Sequence, residues 1–100
     1  MRANVMPYPD RVEVSLAGRF DISTRPRFHE AIRGALRSEG REVWIDLAAV
    51  DYIDSVALGS LLMAREMAEK AGKSVVLANA TGRVRKALDL ARFGDMFTLR

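Results

Sequence analysis

The stretch IDLAAVDYIDSVALGSLL, residues 45–62, constrains the fold more than any other part of the chain. An apolar strand runs through a short acidic turn straight into a helix, so the first turn of that helix falls at Asp54-Ser55. The four leading N–H groups of a helix have no partner inside it, and the aligned peptide dipoles make that end partly positive. Either oxygen-bearing side chain can cap such an end, and a phosphate could be held there. Ser55, the only hydroxyl in the turn, is the expected cap.

Around this stretch the chain alternates between the two periods of regular structure. Asn4 to Asp10, where Pro7 and Pro9 bracket Tyr8, predicts an edge strand or an extended lead-in. From Arg11 to Leu16, Val12, Val14 and Leu16 alternate with Arg11, Glu13 and Ser15, the pattern of a half-buried strand. The chain is then expected to leave the strand through Gly18, and Ser23-Thr24 before Pro26 predicts a helix start. Phe28, Ile32, Ala35 and Leu36 follow at helical spacing, with Gly40 as the expected stop. Glu42 to Leu47 reads as a central strand with bulk on both faces. Next comes a helix from Val56 to about Ala71, apolar nearly all round at its start and ended by Gly72. Ser74 to Ala78 predicts a third strand, bounded by Asn79. Arg83 to Arg92 predicts a last helix stopped by Gly94, and Met96 to Leu99 a short strand or packed tail. This order predicts an α/β domain over residues 1–100, with a small mixed, largely parallel sheet and helices packed mainly on one face. In such sheets ligands and partners meet the pole where strands end and helices begin. Asp21 is expected there beside Asp54.

One hundred residues make one small domain, with little room for a buried multi-group active site. Hydrophobic residues at 49% and charged residues at 29% are ordinary for a folded domain. No apolar run approaches the roughly 20 residues of a membrane span, and the N-terminus lacks the apolar core of a signal peptide, so a cytoplasmic location without membrane insertion is expected. With no cysteine and one histidine, no thiolate metal site can form. Asp21, Asp46, Asp51 and Asp54 read as helix caps or solvated carboxylates before they read as a metal cluster. The net charge of +3 is interleaved with acidic residues and the aromatics are scattered, so nucleic acid is not the expected partner. His29 has no second histidine or cysteine to work with and is expected at the surface or facing a partner. Arg83, Arg85, Lys86 and Arg92 read as a solvated basic face, with contact to an acidic partner as the second reading. No nucleophile, base and oxyanion donor can be assembled, which argues against an enzyme and against a cofactor.

GRFDISTRPRFHEAI, IDLAAVDYIDSVALGSLL and SVVLANATGRVRKALDLARFGDMF together resemble the STAS domain, the fold of bacterial anti-sigma factor antagonists, over nearly the whole chain. The resemblance implies a non-enzymatic signalling protein in transcription regulation, whose partner is an anti-sigma factor that is itself a kinase. It also implies a phosphorylated serine or threonine at the start of the central helix, and phosphorylation that breaks the complex. Here the family's acceptor position is Val56, which has no hydroxyl, and Ala57 stands where glycine is usual; Ser55 is the only substitute acceptor. The partner-binding residues implied are Asp21, Asp54, Ser55, Val56, Ala57, Leu58 and Gly59. An adaptor or assembly subunit, such as the STAS component of a lipid-transport ABC system, is the alternative implied. A weak homo-oligomer is left open.

Overall fold

A computed structural model describes residues 1–100. Strands β1 (Arg2–Pro7), β2 (Arg11–Phe20), β3 (Glu42–Ile53), β4 (Ser74–Ala78) and β5 (Thr98–Leu99) lie side by side in sequence order. β1 pairs antiparallel with β2, and every later pair is parallel. Each parallel pair needs a crossover, and helices α1 (Arg25–Ala35), α2 (Ser55–Lys70) and α3 (Gly82–Leu90) supply them. The register lines up Val12, Val43 and Val75, then Val14, Ile45 and Leu77, on one face. These residues share a single core with Phe28 and Ile32 of α1, Leu61 and Ala64 of α2, and Val84 and Leu88 of α3. All three helices therefore cover the same face, as the alternation predicts. On the other face Glu13, Trp44, Val76 and Thr98 form the corresponding row, and the Arg11 guanidinium lies 4.2 Å from the centre of the Trp44 ring.

The ends of several elements depart from expectation. β2 does not leave at Gly18 but continues to Phe20, and β3 runs to Ile53 instead of ending at Leu47. The reason lies in two register shifts: Ser15 and Ala17 face Asp46 and Ala49, while Gly18 and Arg19 face Val50 and Tyr52. β3 carries one extra residue at each place, so its inward positions run Val43, Ile45, Leu47, Val50 and lose the two-residue period. The Asp46 carboxylate steadies the first bulge by accepting from the Ala48 N–H at 3.0 Å. α1 stops at Ala35, before Gly40. Gly40 is needed for close approach, since a Cβ there would lie 2.5 Å from the Arg11 Cα. Lys73 closes the same corner by donating its ammonium to the carbonyls of Ser38, at 2.8 Å, and Gly40. α3 ends at Leu90 without help from Gly94; the left-handed residue after it is Arg92, at φ 60°. Gly72, at φ 75°, follows α2 as expected.

Candidate functional site

β2 and β3 finish together, Phe20 opposite Ile53, and each opens directly into a helical segment. The two openings are tied to one another. Asp54 donates its N–H to the Phe20 carbonyl at 3.3 Å, and its Oδ2 accepts from the Ile22 N–H at 3.2 Å. Its Oδ1 accepts from the Ala57 N–H at 2.8 Å. Asp54 is therefore the N-cap of α2, and Ser55 is not: Ser55 is already the first residue of the helix, with its side chain exposed. The cap must be the residue with extended backbone just before the helix, because only from there does a short side chain reach the third helical N–H.

Asp21 caps the neighbouring short 3-10 turn, Ile22–Thr24, through a capping box. Its Oδ1 accepts from the Ser23 hydroxyl at 2.6 Å and the Ser23 N–H at 3.0 Å, and Arg19 lies 3.4 Å from Oδ2. The Ser23 hydroxyl above all, then its N–H and Arg19, hold the Asp21 carboxyl below the ordinary carboxylate range against partial desolvation. Asp21 and Asp54 thus share one pole, as the sequence predicts. The other two aspartates do not join them. Asp46 is held by Ala48 and by the Asn79 amide at 3.1 Å, and Asp51 is exposed on β3. No three acidic or histidine side chains converge.

The remaining predicted positions divide sharply. Ser55 and Gly59 are exposed, Val56 and Leu58 are half-buried, and Ala57 is fully buried. Ala57 consequently offers a partner no side chain, only the N–H that Asp54 already uses. Ser55, Gly59, Leu62, Met63 and Glu66 recur at helical spacing and form one exposed stripe along α2. Leu62 and Met63 are more than a third exposed, and Ile22, at 64%, projects beside the start of the stripe. Sequence reading missed Leu62 and Met63 because the start of α2 is apolar on every side, and Ile22 because it lies in a short turn before α1 with no period to place it. The two surface depressions lie elsewhere, about 380 Å³ between Arg65, Glu69 and Met96, and about 420 Å³ between β1 and α1. Neither depression is lined by Asp21, Asp54 or the exposed stripe of α2.

His29 is half-buried, and its Nε2 is enclosed without a partner. Burial first, then Arg25 and Arg33, lowers its pKa below the ordinary histidine value. The basic face of α3 is partly neutralised: Arg85 pairs with Asp89 at 3.0 Å and Arg92 with Asp95 at 3.2 Å.

The family model described as "Mlab, STAS domain" matches residues 8–99. A STAS-domain containing protein of Pseudomonas aeruginosa strain UCBPP-PA14 is 33% identical over 101 residues, 99% of this chain and 99% of that one. The anti-sigma-B factor antagonist of Bacillus subtilis strain 168 is 28% identical over 88 residues, 88% of this chain and 80% of that one. The crystal structure of an anti-sigma factor antagonist from Mycobacterium paratuberculosis superposes with a TM-score of 0.85 at 26% identity, over 98% of this chain and 83% of that one.

Proposed function

The chain belongs to the STAS-domain family, and from that premise we propose that it is a non-enzymatic regulatory module that binds an anti-sigma factor through the Asp21/Asp54 pole. The observation that carries this reading is the Asp54 carboxylate, which links both helix openings and so presents Ile22 and the α2 stripe as one fixed surface. A preformed surface loses little conformational entropy on docking. In this reading Asp21, Asp54, Ser55, Val56, Leu58 and Gly59 form the contact zone, with Ala57 contributing backbone only. Leu62, Met63 and Ile22 add the apolar area that interface centres favour.

The phosphate switch of the family is absent at Val56 in this proposal, because a side chain without a hydroxyl accepts no phosphate. That same residue favours a second reading, constitutive docking as an adaptor or assembly subunit, for example in a lipid-transport ABC system. Titration calorimetry against the kinase-type anti-sigma factors of the same genome separates the two. Gly59→Arg enters open space, so the fold should hold while binding weakens about tenfold or more. Absence of binding to every anti-sigma factor would remove the first reading, and binding indifferent to Gly59→Arg would remove the proposed surface.

A further inference from the structure

β1 is the outer strand of the sheet, and one of its sides has no neighbour. Tyr8 donates its N–H to the Arg11 carbonyl, so Tyr8 and Arg11 are a hydrogen-bonded pair. Hydrogen-bonded pairs alternate along an antiparallel ladder. In the observed register Met6, Asn4 and Arg2 therefore bond to β2, whereas the N–H and C=O groups of Ala3 and Val5 point out of the sheet. Pro7 falls among the outward positions, where its missing N–H costs the ladder nothing. Of the devices that normally block pairing with another strand, β1 carries Arg2 and Pro7 at its two ends, while the outward positions between them, Ala3 and Val5, are uncharged.

The groove beside the edge carries a second, independent signal. Ala3 and Val5 face Arg27, Glu30, Ala31 and Gly34 of α1. Gly34 sits inside a helix, where glycine weakens the structure, yet nothing lies within 4 Å of the Cβ it lacks. The fold of one chain therefore does not explain it. Arg27 bonds the Met1 carbonyl at 3.1 Å and so fixes the level of α1 against β1. Three residues of strand span about 10 Å, about seven residues of helix, which brings Gly34 level with Asn4. Glu30 and Arg37 lie one turn to either side of Gly34, and neither has an ion-pair partner within the chain.

We propose that this edge is a homodimer seam, in which two copies pair β1 with β1 antiparallel about a two-fold axis at Asn4. Ala3 of each copy then exchanges hydrogen bonds with Val5 of the other, joining the two sheets. Gly34 of both helices faces the axis, where the missing side chains permit close approach. Glu30 of each copy meets Arg37 of the other, the reciprocal contact that a two-fold interface requires. The seam lies at the opposite edge of α1 from α2, leaving the Asp21/Asp54 pole free to dock a different protein.

Sedimentation equilibrium of the chain, with any tag at its C-terminus, should show a concentration-dependent dimer below about 1 mM. Val5→Pro removes an outward donor, and Gly34→Leu fills the axis with a better helix former; each should weaken the dimer about tenfold or more. Gly34→Leu should do so while raising the thermal midpoint of the dilute monomer, which separates lost pairing from lost folding. Glu30→Arg and Arg37→Glu should each weaken the dimer alone and restore it together. A wild-type chain that stays monomeric throughout, or a dimer indifferent to Gly34→Leu and to the charge swap, would overturn the proposal.

Discussion

Asp54 uses both carboxylate oxygens on backbone donors, one in its own helix and one across the pole at Ile22, whereas the exposed Ser55 hydroxyl bonds to nothing within the chain. Loss of a cap typically costs about 1 kcal/mol and an orphaned donor adds to it, so Asp54→Ala should destabilise the domain by about 1–2 kcal/mol. Ser55→Ala should stay within about 0.5 kcal/mol. Urea denaturation of the two variants distinguishes these costs, and the reverse order would mean that Ser55 is the cap after all. His29 adds a pH dependence of known sign. Its folded pKa lies below the unfolded value of about 6.5, so the unfolded chain binds its proton first as pH falls. Its contribution is fully present above about pH 6.5 and is lost as pH drops through the folded pKa. His29→Gln should flatten stability between pH 7 and about pH 5, as followed by denaturation midpoints. Asp21 acts the same way lower down: its depressed pKa gives stability present above about pH 4 and lost in stronger acid. Which of two adjacent capping residues does the work was not legible in the sequence, because Asp54 and Ser55 are both good caps and differ only in backbone conformation.

The elements themselves were legible wherever one period held. Val12, Val14 and Leu16 marked β2, and Phe28, Ile32 and Ala35 marked the buried side of α1, because each face meets the core without interruption. The distal half of β3 was hidden by its two extra residues, which move Ala48 and Ala49 together onto exposed positions and make a strand read as a turn. Gly40 was misread for a related reason: a glycine after a helix looks like a stop, while its real constraint is Arg11, distant in sequence. Gly40→Ala should therefore cost about 1–3 kcal/mol, the range of overpacking against backbone that cannot yield. Gly34→Ala in the dilute monomer should instead gain about 1 kcal/mol, the ordinary helix preference, since its site is open. Thermal unfolding of the pair checks both signs at once. A destabilised Gly34→Ala would mean that the helix makes a contact at that position within the single chain.

At the scale of the whole molecule, the three helices on one face leave separate surfaces with different chemistry. The pole offers carboxylates and exposed apolar groups held by Asp54, and the β1 edge offers unpaired backbone beside Gly34. The location of the pole followed from the strand and helix order, but its apolar content did not, since exposure along α2 depends on which neighbours cover it. Residue 56 is where the regulatory question concentrates. Phosphate there would place roughly two negative charges beside Asp54, at a helix N-terminus whose N–H groups tolerate them internally while a docked acidic or apolar surface would be repelled. For the proposed function, the most direct measurement incubates wild type and Val56→Ser with a kinase-type anti-sigma factor of the same genome and ATP, followed by intact mass and binding affinity. The account predicts that wild type binds and gains no phosphate, and that Val56→Ser gains one phosphate and loses affinity. Stoichiometric phosphate on wild-type Ser55 with loss of binding would contradict it, showing that the switch has moved by one residue and is still present.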